Sequence, residues 1–162
     1  MVPDGCMELI FILGDDIKRY TSENEFIIQP RAIVVGQITE PFIIQPFGYV
    51  HCFATRFYPY GVANFIKTPL KNLENKETPI AELFGQSTAN ELEQKIIHAT
   101  DTQQRIEIIE TFLFDKLNEK STIDSIVKST VNTLIATSGS SPIKAILKED
   151  LSKRRQLERK FL

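Results

Sequence analysis

The chain changes character at Pro59, and that switch constrains its fold more than any other feature. Before it lie five short apolar runs, MELIFILG, EFIIQ, AIVVGQI, PFIIQP and FGYVHCFATRFYP. They are rich in β-branched and aromatic residues and are separated by turn formers: Asp15-Asp16, Glu23-Asn24, Pro30 and Pro46-Phe47-Gly48. From Thr88 onward the apolar residues recur at helical spacing instead. Strands first and helices after predict an α+β fold rather than alternating β-α units. The short links between strands favour antiparallel pairing, as a sheet or partial barrel. Runs apolar on both faces, such as Met7 to Ile12, imply strands covered on both sides.

The helical part divides by its caps. Thr88-Ala89-Asn90-Glu91 reads as a capping box that opens a helix through Leu92, Ile96 and Ile97. Thr100, with Gln103 in the reciprocal position, opens the next, whose stripe is Ile106, Ile109, Phe112, Leu113 and Leu117. A third begins near Thr122 and stops before Ser138-Gly139. Ser141-Pro142 restarts a short helix, and Ser152 caps a last one over 153–162. The expected organisation is a β-rich domain over 1–66, a polar connection over 67–87, a helical linker or dimerisation segment over 88–138 and a terminal module over 139–162.

At 162 residues, 42% hydrophobic and 25% charged, the chain has the composition of an ordinary globular protein. Its formal net charge of -2 is no polyanion-binding signature, but the charge is uneven. Residues 148–162 hold six bases (Lys148, Lys153, Arg154, Arg155, Arg159, Lys160) against three acids (Glu149, Asp150, Glu158), so that stretch is +3 and the remainder -5. A basic end on an acidic body implies a separate task for that end. No apolar run approaches the roughly 20 residues of a membrane span and no signal-peptide pattern opens the chain, which points to a cytoplasmic protein. Cys6 and Cys52 have no lysine or arginine beside them, no CxxC and no Cys/His cluster at metal spacing, so buried, unreactive thiols are expected. No nucleophile elbow, phosphate loop or dinucleotide fingerprint is present in the sequence. We therefore expect neither enzyme activity nor a cofactor or metal.

The informative constellation is SPIKAILKEDLSKRRQLERKF. It reads as two short helices joined by a tight turn, the first apolar through Ile143, Ile146 and Leu147. The second is apolar through Leu157 and Phe161, and basic and polar on its outer face. This is the layout of a helix-turn-helix, in which the first helix braces a second that enters the major groove. A solvated amphipathic helix has the same pattern, and the pattern alone leaves both open.

LSKRRQLERKF resembles the start of the first helix-turn-helix of AraC-type transcription regulators. VPDGCMELIF, VVGQIT and FATRFYPYGVANF are similar to strings of the regulatory domain of one subgroup of that family, and they occur in the same order. The resemblance implies a cupin-like β-domain followed by a partial helix-turn-helix, a homodimer paired through the helices at 102–118 and 122–137, and an effector of unknown identity. In the Leu157-x-Arg159-x-Phe161 register it points Arg155, Glu158 and Arg159 at the groove, with Arg154 and Lys160 on phosphates and Ser152 at the helix start. Asp150 stands near the turn where the family has a small residue, and four residues rather than about three separate Ser152 from Leu157. The family's DNA-binding region has two helix-turn-helix units and its regulatory domain begins before the PDG string. The chain therefore reads as the middle of a longer regulator, engaging DNA in that longer context. The alternatives are a small cupin-like ligand-binding or metal-dependent enzyme domain, and a truncated regulator acting by mixed dimerisation.

Three residues within the strands stand apart. Glu8 and Arg56 are the lone charges of their strands, and a cross-strand ion pair is the expected solution. Either could instead face a ligand cavity. His51, beside Tyr49 and Phe53, is a third ligand-facing candidate, or a histidine at the edge of the core. The strand Met7 to Leu13 is expected to have an edge that a partner chain or the helices must cover.

Overall fold

The computed structural model describes residues 5–117, 125–147 and Arg155. The chain forms two compact units, Met1–Leu117 and Asn118–Leu162. The first holds seven strands: β1 (Met7–Ile12), β2 (Ile17–Tyr20), β3 (Phe26–Ile28), β4 (Ala32–Val35), β5 (Ile44–Pro46), β6 (Cys52–Phe57) and β7 (Glu77–Pro79). It also holds α1 (Ile80–Phe84), α2 (Gln86–His98) and α3 (Thr102–Lys116). The second unit contains α4 (Ser125–Ala136) and α5 (Ile143–Ile146). The fold is α+β, with antiparallel sheets ordered β6-β1-β4-β7 and β3-β2-β5 and no closed barrel among the described residues.

The two sheets are one sheet bent at a corner. The β1–β6 register runs from Met7↔Phe57 to Ile12↔Cys52. It continues through Leu13 N to His51 O and Asp15 N to Tyr49 O, then Phe47 N to Asp16 O, into the β2–β5 register at Ile17↔Pro46. On the other flank β1–β4 passes into β2–β3 through Ile12 N to Arg31 O and Gln29 N to Ile17 O. The Arg31 guanidinium holds the corner, donating to the carbonyls of Ile12 (3.2 Å) and Gly14 (3.0 Å) and pairing with Asp16 (2.7 Å). Asp15 accepts from Tyr49 N at 2.7 Å. The backbones approach so closely that a Cβ on Gly14 would strike the Tyr49 carbonyl, and one on Gly48 the Asp15 carboxylate.

Alternation along the strands gives the bent sheet two faces. Met7, Leu9 and Phe11 point with Ala32, Val34 and Phe57 toward Val62, Ile66, Leu73, Ile80, Leu92, Ile96 and Ile109, forming the principal core beneath the helices. Ile12, Ile17, Ile33 and Val35 are also buried but stand outside that core, on the concave face.

Several sequence expectations change. β1 is a central strand, flanked by β4 and β6, so Met7 to Leu13 has no open edge; the edge is β6. IKRY and ETP are strands not read from sequence, and residues 67–87 contribute β7 and α1 because Leu73, Thr78 and Ile80 bury their side chains. α2 starts at Gln86 after Gly85 (φ 86), placing Thr88 inside the helix rather than at its cap. The box opening α3 sits one residue later than read. Asp101 accepts from Gln104 N (2.8 Å), and Gln104 Oε1 accepts from Thr100 N (2.7 Å). Of the α3 stripe only Ile109 is fully buried, while Ile106 and Leu117 are exposed. The glycine stop after α4 is present, with Gly139 at φ 74 and its N–H on Leu134 O. α5 takes Pro142, not Ser141, as its N-cap residue.

Candidate functional site

The concave face carries polar groups in a patterned row. Register places Glu77, Val35, Glu8 and Arg56 side by side across β7, β4, β1 and β6. Glu8 and Arg56 meet at 3.6 Å, so the cross-strand ion pair expected from sequence forms. Its Glu8 side is 19% exposed and its Arg56 side 56%, which makes it a pair at the rim rather than a buried one.

The deeper network was not legible in the sequence. The bend folds β2 and β3 back toward β7, so Arg19 Nε lies 3.2 Å from Glu77 Oε2 while Gln29 Nε2 donates to Glu77 Oε1 at 2.6 Å. The Glu77 side chain is 4% exposed and that of Arg19 22%. Burial pushes the Glu77 carboxyl above the usual glutamate range, opposed by the Arg19 charge and the Gln29 hydrogen bond. Arg19 also stacks over Phe42, 5.3 Å from its ring centroid. It lines two open clefts. One of about 840 Å³ is walled by Tyr20, Phe42, Ile43, Ile44 and Gln45; the other, of about 240 Å³, lies beside Asn75, Glu77 and Glu82. A guanidinium paired on one side with a carboxylate that an amide also holds, beside clefts of mixed polar and apolar lining, is suited to orienting an oxygen-bearing small molecule. The one sequence clue was Lys18-Arg19 in a strand-length run: alternation sends one cation to each face. Lys18 takes the convex face, where its ammonium sits 4.4 and 4.6 Å from the Phe26 and Phe47 rings.

His51 is exposed, 6.0 Å from the Tyr49 ring, and its carbonyl rather than its imidazole serves the corner, accepting from Leu13 and Gly14. Neither thiol is buried as expected: Cys52 is exposed because even-numbered positions of β6 face the open mouth of the concavity, and Cys6, just before β1, is half-buried. Partial burial raises both thiol pKa values, with Glu8 adding to the effect at Cys6, and so suppresses thiolate formation. Among the described residues no group of three histidine, cysteine or carboxylate side chains converges as a metal site. No helix among them is long and apolar enough to cross a membrane. Of the DNA-contact candidates, Arg155 is helical and exposed; Ser152, Arg154, Glu158, Arg159 and Lys160 lie outside the described residues.

No curated protein and no solved structure matches the chain. All seven strands, β7 included, fall within residues 1–79, and it is these residues that match the family model described as Domain of unknown function (DUF6597).

Proposed function

We propose that this chain is the sensing and dimerising portion of a cytoplasmic AraC-type transcription regulator, with the opening of a helix-turn-helix module in residues 139–162. The observation that carries the reading is the order of strings: VPDGCMELIF, VVGQIT and FATRFYPYGVANF on the sheet, then LSKRRQLERKF at the basic end. The bent antiparallel sheet supports it, since its concavity supplies a place for an effector between Glu77, Arg19 and the Glu8–Arg56 rim. So do the exposed apolar side chains of α3 and its C-cap, Ile106, Phe114 and Leu117, which are available to a subunit contact. Regulation is then a coupling, in which occupancy of the concavity biases how two basic modules are presented to DNA. Arg155, Glu158 and Arg159 contact bases, and Arg154 and Lys160 contact phosphates. The chemistry is recognition, with no catalytic step.

Sedimentation and fluorescence anisotropy on labelled duplex DNA test this together. The expected result is a homodimer with weak DNA affinity, at or above about 1 μM, that falls steeply between about 50 and 200 mM salt. A chain that ignores DNA even at low salt, and instead holds stoichiometric zinc, iron or manganese, would overturn the reading in favour of a metal-dependent cupin-like protein.

A further inference from the structure

Among the described residues, β6 is the unguarded edge of the sheet. The other edges are short and blunted. β7 has three residues, ends in Pro79 and runs straight into α1; β3 has three, with Glu23 and Glu25 before it and Pro30 after. β6 has six residues and no proline or lysine. From Ile43 to Tyr58 the only ionisable bases are His51 and Arg56, and Arg56 is paired within the chain to Glu8. Along the same margin Ile43, Ile44, Phe47, Tyr49, Val50 and Tyr58 are exposed. A strip of this kind is more than scattered surface apolarity and marks an interaction surface.

Backbone direction shows what the edge offers. Tyr49 and His51 turn their carbonyls toward the β1 side. Antiparallel alternation sends Phe53, Thr55 and Phe57 the same way, so Cys52, Ala54 and Arg56 direct their N–H and C=O groups outward. Ala54, with the smallest side chain of the three, is the middle one.

We infer that β6 pairs antiparallel with β6 of a second copy of this chain, about a twofold axis at Ala54. Ala54 faces the partner's Ala54, and Cys52 faces the partner's Arg56 and the reverse. Every outward group of the edge is then matched by about six backbone hydrogen bonds. The two four-stranded sheets become one of eight strands, with their concave faces on one side. The charge pattern selects this occupant. A basic partner strand finds no carboxylate between Ile43 and Tyr58, and an acidic one has to compete with Glu8 for Arg56, whereas the twofold keeps the two Arg56 side chains four strand residues, roughly 13 Å, apart. The inference goes beyond the subunit contact on α3 proposed above and does not depend on the regulator reading.

Ala54→Pro is a clean test, because the N–H it removes points away from β1 and an edge strand tolerates it. Its circular dichroism and melting curve should match wild type, while sedimentation should show self-association weakened at least tenfold. A second variant, Ala54→Cys with Cys6→Ser and Cys52→Ser, should form a disulfide-linked dimer under mild oxidation, and Phe114→Glu on α3 should leave that cross-link intact. A wild-type monomer, an Ala54→Pro protein that assembles as well as wild type, or an Ala54→Cys variant that fails to cross-link would each overturn the inference. The second result would place assembly on the helices, and the third would mean that another segment covers the edge.

Discussion

The two halves of the bent sheet are built from similar residues and meet opposite fates. In the β6-β1-β4-β7 half, Met7, Leu9 and Phe11 are each 1% exposed beneath the helices. In the β3-β2-β5 half, Phe26, Ile27, Ile28 and Ile44 are 45–48% exposed. Both segments are apolar and strand-forming, so local propensity does not separate them. What differs is cover: Val62, Ile66, Leu73, Ile80, Leu92, Ile96 and Ile109 pack against the first half, and the other half is held by the corner, by Arg31 and by the Arg19–Glu77–Gln29 network. Apolar content reports that a segment is a strand, whereas burial reports what the rest of the chain does to it. The sharpest way to break the comparison is a matched truncation in each half. Leu9→Ala should cost about 2–5 kcal/mol in urea unfolding, through lost transfer and a residual cavity. Ile44→Ala should change stability by no more than about 0.5 kcal/mol. Equal losses would mean that the outer half is as well covered as the inner one.

The next test concerns what substitutes for cover. Arg19→Ala leaves a carboxylate that is nearly inaccessible with only Gln29 to satisfy it, and should cost about 1–3 kcal/mol. Glu77→Gln keeps the shape and removes the titration. Because the folded Glu77 carboxyl titrates above its ordinary value of about 4.3, the folded state keeps a proton that the unfolded state has released once the pH passes that value. The Glu77 contribution is therefore most favourable at low pH and declines as pH rises through the folded pKa. The stability of wild type relative to Glu77→Gln should fall over that window. A flat difference would show that the Arg19 charge and the Gln29 hydrogen bond cancel desolvation, and a rising one that they outweigh it.

Fold class and the passage from strands to helices were legible because they rest on short-range signals. The change from β-branched runs to helical spacing, the Gly139 stop and the lone charges of β1 and β6 need only a few neighbours to interpret. The bend was not legible. It depends on Gly14, Gly48, Arg31 and Asp16, which are separated in sequence and meaningful only once Tyr49 lies against Gly14. The same holds for the site. Glu8 and Arg56 could be paired by eye because each is conspicuous in an apolar strand. Arg19 and Glu77 stand in polar company, and β7 was hidden in what read as a connection. The central position of β1 was missed for a related reason: which strands flank it is decided by long-range pairing, not by its own residues.

The smallest effect tests the rim of the concavity against its floor. Glu8–Arg56 and Arg19–Glu77 are both cross-strand ion pairs, but Arg56 is more than half exposed and its guanidinium is well solvated in the unpaired state. A pair in that setting gains little over its hydration and is screened by salt. A double-mutant cycle with Glu8→Gln and Arg56→Met should give a coupling of about 0.2–1 kcal/mol that shrinks on adding salt. The same cycle at Arg19 and Glu77 should give a larger coupling that salt alters less, since the Glu77 side chain is 4% exposed. Coupling of equal size at the two pairs would mean that the rim is as dry as the floor, and that the mouth of the concavity beside β6 is closed in solution. A closed mouth is what pairing of β6 with a second copy would favour, so the salt dependence at Glu8 and Arg56, read above and below the concentration at which the chain associates, turns a weak ion pair into a reporter of the edge.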